Sequence, residues 1–274
     1  MNNYIGVDRG GTFTRVAMLD SSLKLTNSVS FATEEDLHSF ARKLFSVLQD
    51  WNAVNAPMVI ASRGAFSRAD VREGIANAVM SATDGKVNLK AVISDAEAAH
   101  YAAFGGEDGI LLISGTGSVA FSGKYGHYAM HGGSNTVDGD PGSGRWLGRQ
   151  WLVYKGLLRS GEEMDHSESA SYAKMLLERA ENANSDNPDD VFCRETARKG
   201  AEHLSSLVRM AAVSDRHTVQ GGFVYAAYQG GTMQSVFYRN LLSKTYKNMY
   251  RTELILFPLP MQAGEAAAML AARL

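Results

Sequence analysis

Residues 109–118 read GILLISGTGS, a short apolar run that leads directly into glycines and hydroxyl-bearing residues. The apolar run predicts a buried strand, and the glycines predict a turn in which bare backbone comes close to a ligand. Clustered backbone N–H groups favour anions, so phosphate is the first ligand to consider. The next residues, SVAFSGKYGHYAM, are rich in β-branched and aromatic side chains and predict further strands.

Two common nucleotide-binding motifs are excluded at this turn. Gly115, Gly117 and Ala120 fit the dinucleotide fingerprint G-x-G-x-x-A, which requires the glycines to open a helix. Because strands are predicted after the glycines, this hypothesis is rejected. The sequence also contains no G-x-x-x-x-G-K-[ST] motif, which excludes a P-loop. A phosphate-binding turn between two strands remains.

A second turn of the same kind, DRGGT, occupies residues 8–12. We expect Gly10 and Gly11 to adopt positive φ and direct their N–H groups into one concavity, to which Thr12 adds a hydroxyl. Asp8, at the end of a predicted strand, would hold a hydrated Mg²⁺ beside the phosphate. An ordinary tight hairpin is the alternative interpretation of this segment.

The order of predicted elements is similar in the two halves of the chain. Each half opens with a meander of three strands, and the first also contains an amphipathic helix from Thr33 and strands at 58–62 and 90–95. This alternation predicts an α/β protein with parallel strands. We expect domains at 1–104 and 105–261 with a cleft between them, a helical region over about 144–215, and a C-terminal helix at 262–274 that packs on the first domain.

Composition limits the possible partners. The 274 residues are 45% hydrophobic and 20% charged, as in globular proteins. A net charge of -2 gives no basic surplus for nucleic acid or an anionic membrane, so we expect a small-molecule partner. The lone Cys193 excludes an internal disulfide framework and a cysteine-based zinc site. No export signal or long apolar segment is recognisable, which predicts a cytoplasmic protein.

Two acidic residues stand at positions suited to chemistry. Asp95 follows the strand KAVIS, so its carboxylate should reach the carboxyl edge of the sheet, where α/β proteins bind ligands. A helix N-cap is the alternative for Asp95, and from the residues alone we favour it. Asp140, beside Asp138, could cap the following helix or hold a metal ion. No histidine spacing predicts a metal site, and no serine or Cys193 has an identifiable partner base.

Several segments together resemble the BadF/BadG/BcrA/BcrD-type ATPase family. They are YIGVDRGGTFTRVAMLD, VIASRGA, VISDAEAAHYAAF, GILLISGTGSVAF, HGG followed by GDPGSGRWLG, and VQGGFVYA. Within that family the chain is most similar to the N-acetylglucosamine and glucosamine kinases of the actin/hexokinase/Hsp70 superfamily. The resemblance implies two ribonuclease H-like (actin-like ATPase) domains. It also implies ATP- and Mg²⁺-dependent transfer of a phosphoryl group to a hydroxyl of a sugar, most of all an amino sugar.

The resemblance also implies roles for individual residues. Asp95 becomes the general base that accepts the proton of the sugar hydroxyl, and Asp8 and Asp140 lie near magnesium. The residues implied to bind ATP are Gly10, Gly11, Thr12, Gly115, Thr116, Gly117 and Ser118, with Gly221 and Gly222 as the adenosine motif. The residues implied to lie on the substrate side, besides Asp95 and Asp140, are Ser62, Gly64, Gly132 and Gly133.

The sequence departs from the family pattern in three places. Arg9 replaces a glycine, GGSN at 132–135 replaces GGWG, and Pro141 replaces an acid. These departures keep a second hypothesis open, a non-catalytic regulator that binds a nucleotide or a sugar, or an ATPase, on the same fold. A homodimer is also left open.

Overall fold

A computed structural model describes residues 2–133, 139–214, 219–220 and 222–274, with the backbone alone for 219–220. The chain divides into two compact units. Unit 1 comprises Met1–Gly105 and Pro260–Leu274, and unit 2 comprises Gly106–Leu259. Each unit contains one mixed β-sheet with helices, which confirms the predicted α/β class.

The described strands and helices are numbered in chain order. The strands are β1 (Tyr4–Arg9), β2 (Phe13–Leu19), β3 (Leu25–Ala32), β4 (Pro57–Ser62), β5 (Asn88–Ser94), β6 (Gly109–Ser114), β7 (Ser118–Lys124), β8 (His127–Gly132), β9 (Val219–Gln220), β10 (Phe223–Gln229) and β11 (Glu253–Pro258). The helices are α1 (Leu37–Asp50), α2 (Ala69–Ala82), α3 (Asp95–Phe104), α4 (Gly144–Tyr154), α5 (His166–Glu181), α6 (Pro188–Ser214), α7 (Val236–Tyr250) and α8 (Ala263–Ala271).

The two sheets share one topology. The sheet of unit 1 has the order β3-β2-β1-β4-β5, in which β1 to β3 form the antiparallel meander and β4 and β5 run parallel to β1. The sheet of unit 2 has the order β11-β10-β6-β7-β8, with β6 to β8 as the meander and β10 and β11 parallel to β6. The repeated pattern of the two halves is therefore a repeated topology.

Helices cover both faces of the sheet in unit 1. On one face, Phe40 and Leu44 of α1 and Ile75 of α2 pack in one apolar cluster with Ile5 and Ile60 of the sheet. On the other face, small residues of α3 and α8 pack against β4 and β5 in a second cluster. This arrangement fixes the strands from both sides, so the residues that follow their carboxyl ends have a rigid base.

The first helix begins later than predicted. It was expected from Thr33, but α1 begins at Leu37, and the carboxylate of Asp36 caps it by accepting a hydrogen bond from the N–H of Ser39 at 2.7 Å. The Thr33 hydroxyl instead donates to the carbonyl of Gly10 at 2.9 Å. Thr33 thus holds the first glycine turn in place.

The core of unit 2 lies between its sheet and helices α4 to α7. Trp146, Leu147 and Trp151 of α4 are buried there. Strand β10 was not predicted, although it lies in the sheet between β6 and β11. Its sequence FVYAAYQ lacks strict alternation, and the Gly-Gly turn signals at 221–222 and 230–231 that bound it were the signal that could have identified it.

Candidate active site

Three parallel strands of unit 1 end at the same level. In the register of the sheet, Arg9 pairs with Ser62 across β1 and β4, and Ser62 pairs with Ser94 across β4 and β5. Asp8, one residue before the end of β1, and Asp95, one residue after β5, therefore lie at the same carboxyl edge. This is the edge at which open α/β sheets bind ligands.

The Asp8 carboxylate is in an environment that disfavours its charge. Burial raises its pKa above the ordinary value, Arg15 opposes this shift, and the like charge of Asp95 adds to it. The Arg15 guanidinium lies 3.4 Å from one carboxylate oxygen, and the Asp8 side chain is 17% exposed. Asp8 thus keeps solvent access and oxygen lone pairs that could face a cation.

Asp95 is not the cap of its helix, which corrects the interpretation favoured from the residues alone. Ser94 is the N-cap: its hydroxyl accepts from the N–H of Glu97 at 3.1 Å, and the Glu97 carboxylate accepts from the N–H of Ser94 at 2.6 Å. This capping box leaves Asp95 free of that role. The S-x-x-E pattern at 94–97 was the signal in the sequence that could have identified it.

The Asp95 carboxylate lies in an environment that raises its affinity for a proton. Burial raises its pKa, while the N–H of Ala96 and the positive charge of Arg63 oppose the shift and the charge of Glu97 adds to it. It accepts a hydrogen bond from the N–H of Ala96 at 2.9 Å. A carboxylate whose pKa is raised holds a proton more tightly than an ordinary aspartate.

The first glycine turn differs from the predicted nest. Neither Gly10 nor Gly11 has positive φ, so the expectation of two left-handed glycines is wrong. The N–H of Gly10 donates to the carbonyl of Phe13 at 3.1 Å, because the pairing of β1 with β2 continues into the turn. Gly11 and Thr12 are exposed, so their polar groups face solvent and remain candidates for phosphate contacts.

The two substrate-side residues predicted after β4 differ in burial. Ser62 is fully buried, and its hydroxyl has no hydrogen-bond partner among the described residues. Gly64 is exposed and has a φ of +76°, a conformation that favours glycine. Both residues belong to the edge that carries Asp8 and Asp95, and their contact with a substrate stays a prediction.

The second glycine turn joins β6 directly to β7, as the rejection of the dinucleotide fingerprint requires. The N–H of Gly115 donates to the carbonyl of Gly117 at 2.9 Å, and the Ser118 hydroxyl donates to the carbonyl of Pro141 at 3.0 Å. A Cβ on Gly117 would lie 2.8 Å from a carboxylate oxygen of Asp140. Any larger residue at position 117 would therefore displace the Asp140 carboxylate.

Asp140 is buried in unit 2 and lies beside a cation. Its carboxylate is 3.5 Å from the guanidinium of Arg145, and the two side chains are 6% and 2% exposed. It is not the cap of α4, because the Ser143 hydroxyl accepts from the N–H of Trp146 at 3.2 Å. The predicted cap role is therefore wrong, and metal binding by Asp140 stays a prediction. Asp138 lies outside the described residues.

The loop after β8 is described in part. Gly132 and Gly133 have φ of +91° and +73°, and the N–H of Gly133 donates to the carbonyl of Ser118 at 3.0 Å. These glycines therefore lie beside the second glycine turn. Ser134 and Asn135, which replace residues of the family pattern, lie outside the described residues.

The predicted adenosine motif is misplaced. Gly222 precedes β10, whereas Gly115 follows β6, and because β10 and β6 are parallel the two glycines lie at opposite ends of the sheet. Gly221 lies outside the described residues. Gly230 and Gly231, which follow β10, take the place next to Gly115: a Cβ on Gly115 would lie 3.7 Å from both. They were missed because β10 was missed.

A cavity of about 840 Å³ opens beside these glycine loops within unit 2. Gly115, Thr116 and Gly144 line one part of it, Gly231 and Thr232 another, and α5 contributes a wall with apolar residues such as Leu177. A glycine-rich backbone at one end and a wall with both apolar and charged side chains at the other suit a polar small molecule that also carries an apolar group. The volume is in the range of small-molecule sites.

The structure gives little support to a metal site built from clustered side chains, to a cysteine nucleophile or to a membrane-spanning helix. Within the described residues, no three side chains of His, Cys, Asp or Glu converge as a metal site would require. Burial raises the pKa of the Cys193 thiol to about 11, so it would be a poor nucleophile. None of the described helices is both long and apolar enough to cross a lipid bilayer.

Comparison of the structure with solved structures shows the fold. A candidate N-acetylglucosamine kinase from Chromobacterium violaceum superposes with a TM-score of 0.68 at 20% identity over 99% of both chains. A ROK hexokinase from Thermus thermophilus gives 0.66 at 16% over 99% of both chains. A ROK-family glucokinase from Streptomyces griseus, solved with glucose and AMPPNP, gives 0.60 at 16% over 99% of this chain and 100% of that one.

These structures confirm the predicted fold class, two domains of the ribonuclease H-like, actin-like ATPase type. No family model matches the sequence, and no curated protein matches it either. The resemblance to the BadF/BadG/BcrA/BcrD-type family therefore stays a prediction.

Proposed function

We propose that this protein transfers a phosphoryl group from ATP to a hydroxyl of a sugar, most of all an amino sugar such as N-acetylglucosamine or glucosamine. The observation that carries the proposal is Asp95, a desolvated carboxylate that does not cap its helix, at the ligand-binding edge of the sheet. The similar solved structures support the proposal, since they include proteins described as sugar kinases. One of them, a glucokinase, was solved with glucose and AMPPNP.

The proposed reaction assigns one step to Asp95. Its carboxylate accepts the proton of the sugar hydroxyl while the hydroxyl oxygen bonds to the γ-phosphorus and the bond from that phosphorus to the bridging oxygen breaks. The products are a sugar phosphate, ADP and the proton on Asp95. General-base help of this kind is typically worth about 10²–10⁴-fold in rate.

Unit 2 provides features that suit the nucleotide. The cavity beside Gly115 and Gly231 would hold the adenosine, with the backbone of residues 115–118 toward the phosphates. The residues of unit 1 fit a magnesium ion bound partly through water, because Asp8 keeps solvent access. When bound, the ion would neutralise charge on the phosphates. Asp140 is the weaker candidate ligand, since Arg145 already lies beside its carboxylate.

The experiment that tests the proposal measures ADP release from Mg-ATP with glucosamine, N-acetylglucosamine, N-acetylmannosamine, glucose and a blank without sugar. We expect an amino sugar to raise the rate well above the blank, and Asp95→Asn to lower that rate at least about a hundredfold with ATP binding retained. Asp50→Asn is the matched control, because it makes the same change at an exposed position of unit 1. An active Asp95→Asn variant would exclude the assigned base.

A regulator that binds a nucleotide or a sugar without turnover is the second candidate. One specific observation favours it, the close approach of Arg145 to Asp140, which reduces the negative charge available to a metal ion. Calorimetric titration of the wild type separates the two functions. Binding of both ATP and a sugar without ADP release would favour the regulator.

A further inference from the structure

Arg63 lies at the same edge as Asp8 and Asp95, within the segment VIASRGA, although the family resemblance implied no role for it. It follows β4, and its backbone N–H donates to the carbonyl of Arg9 at 3.2 Å, which ties it to the end of β1. Its side chain reaches back over the first glycine turn, because a guanidinium nitrogen lies 3.0 Å from where a Cβ on Gly11 would stand. Glycine at position 11 leaves the space that this side chain uses.

The positive charge of Arg63 has no ion-pair partner among the described residues. The other arginines of this edge are engaged: Arg15 pairs with Asp8, and Arg9 donates to the carbonyl of Glu34 at 2.8 Å and stacks over Phe40. Arg63 is also close enough to Asp95 to lower the pKa of that carboxylate against the effect of burial. An exposed guanidinium between a glycine turn and the proposed base is placed to bind an anion that lies between them.

We propose that Arg63 binds the phosphoryl group during its transfer, as an arginine supplied by the same chain. This inference rests on the proposed function and deepens it. A guanidinium offers a planar fork of donors to phosphate oxygens, and arginines that stabilise the transferring group increase kcat by about 10³–10⁵-fold in well-studied cases. The position over Gly11 favours the phosphoryl group over a charged group on the sugar, because Gly11 belongs to the turn proposed to bind phosphate.

The test compares Arg63→Gln and Arg63→Lys with the wild type. We expect Arg63→Gln to lower kcat by about 10²–10³-fold with the Kd for ADP unchanged, and Arg63→Lys to restore part of the rate. Arg42→Gln is the matched control, since Arg42 is an exposed arginine of α1 whose guanidinium contacts the Ser39 hydroxyl. A kcat within threefold of the wild type, or a raised KM for the sugar with kcat unchanged, would overturn the inference.

A pH profile adds a readout that a merely structural role would not move. The charged groups around Asp95 are Asp8 from β1, Glu97 from its own helix and Arg63 from the end of β4, while Arg15 and Arg72 pair with Asp8 and Glu97. Loss of the Arg63 charge removes an influence that lowers the pKa of Asp95. The acid limb of kcat should therefore move to higher pH in Arg63→Gln, and an unmoved limb would contradict the position of the Arg63 charge beside Asp95, on which the inference depends.

A binding experiment separates failure of this inference from failure of the proposed function. The wild type and Arg63→Gln are titrated with ADP plus aluminium fluoride, a mimic of the transferring phosphoryl group, and with ADP alone. We expect the mimic to bind at least about tenfold more weakly to Arg63→Gln, with equal binding of ADP. Equal binding of the mimic overturns the role of Arg63. A wild type that binds the mimic through Arg63 and phosphorylates no sugar overturns the proposed acceptor alone.

Discussion

Ser114 and Thr232 connect the two glycine loops of unit 2, although 118 positions separate them in the chain. The Thr232 hydroxyl donates to the carbonyl of Ser114 at 2.8 Å, and the two hydroxyl oxygens lie within hydrogen-bond distance of each other. Both side chains are buried. Ser114 ends β6 before Gly115, and Thr232 follows Gly231, so these bonds set the spacing of the two loops that line the cavity.

Replacing Thr232 with valine should weaken nucleotide binding. The variant keeps the shape of the side chain but leaves the carbonyl of Ser114 without this donor, which costs about 1–3 kcal/mol when the group is buried. We expect a lower Tm and a Kd for ATP raised by about tenfold or more, measured by calorimetry.

Thr252→Val is the matched control for that variant, because the Thr252 hydroxyl bonds locally to the carbonyl of Tyr250. It should leave the affinity for ATP unchanged. A normal Kd for ATP in Thr232→Val would show that the two loops do not depend on this contact.

Asp95→Asn should raise the thermal stability while it lowers the activity. Burial raises the pKa of Asp95, so at neutral pH the charged carboxylate destabilises the folded state relative to the unfolded state. Asparagine removes this cost and can still accept from the N–H of Ala96. We expect Tm to rise by about 1–4 °C in a thermal scan, with Asp50→Asn unchanged. A lower Tm would mean that the carboxylate makes a stabilising contact with its environment.

The activity of the wild type should fall on acidification at a higher pH than an exposed aspartate would give. A base must be deprotonated to accept a proton, and burial raises the pKa of Asp95 above 3.8. We expect the acid limb of the kcat profile above that value, measured with saturating sugar and Mg-ATP. A limb at the ordinary value of aspartate would indicate that the base is solvated in the complex.

Gly6→Ala should destabilise unit 1. A Cβ on Gly6, in the middle of β1, would lie 1.9 Å from the backbone carbonyl oxygen of Gly264 in α8, so helix and strand would have to separate. Overpacking against backbone costs about 1–3 kcal/mol or more, which should appear as a lower midpoint in urea.

Gly74→Ala is the matched control, because Gly74 lies in α2 and its added Cβ meets an ordinary contact at 3.7 Å from Leu37. Alanine there should be neutral or stabilising, since glycine disfavours helices. Equal midpoints for the two variants would contradict close packing of α8 on β1.

The sequence alone determined the fold class and one half of the candidate site. Asp8 at the end of one apolar strand and Asp95 directly after another predict two acids at one sheet edge, because parallel strands align their carboxyl ends. The residues after Gly117 predict a strand where the dinucleotide fingerprint requires a helix, and this excluded a dinucleotide-binding fold. These features depend on short segments, in which each residue's neighbours in the chain fix its environment.

Only the tertiary structure decided the rest. Strand β10 is a strand because β6 and β11 pair with it on both sides, and without it Gly230 and Gly231 could not be placed beside Gly115. Asp95 does not cap helix α3, because Ser94 and Glu97 form its capping box. Arg63 stands over Gly11 because β1 and β4 are neighbours in the sheet. Such contacts join residues far apart in the chain, and local pattern carries no information about which distant segments will meet.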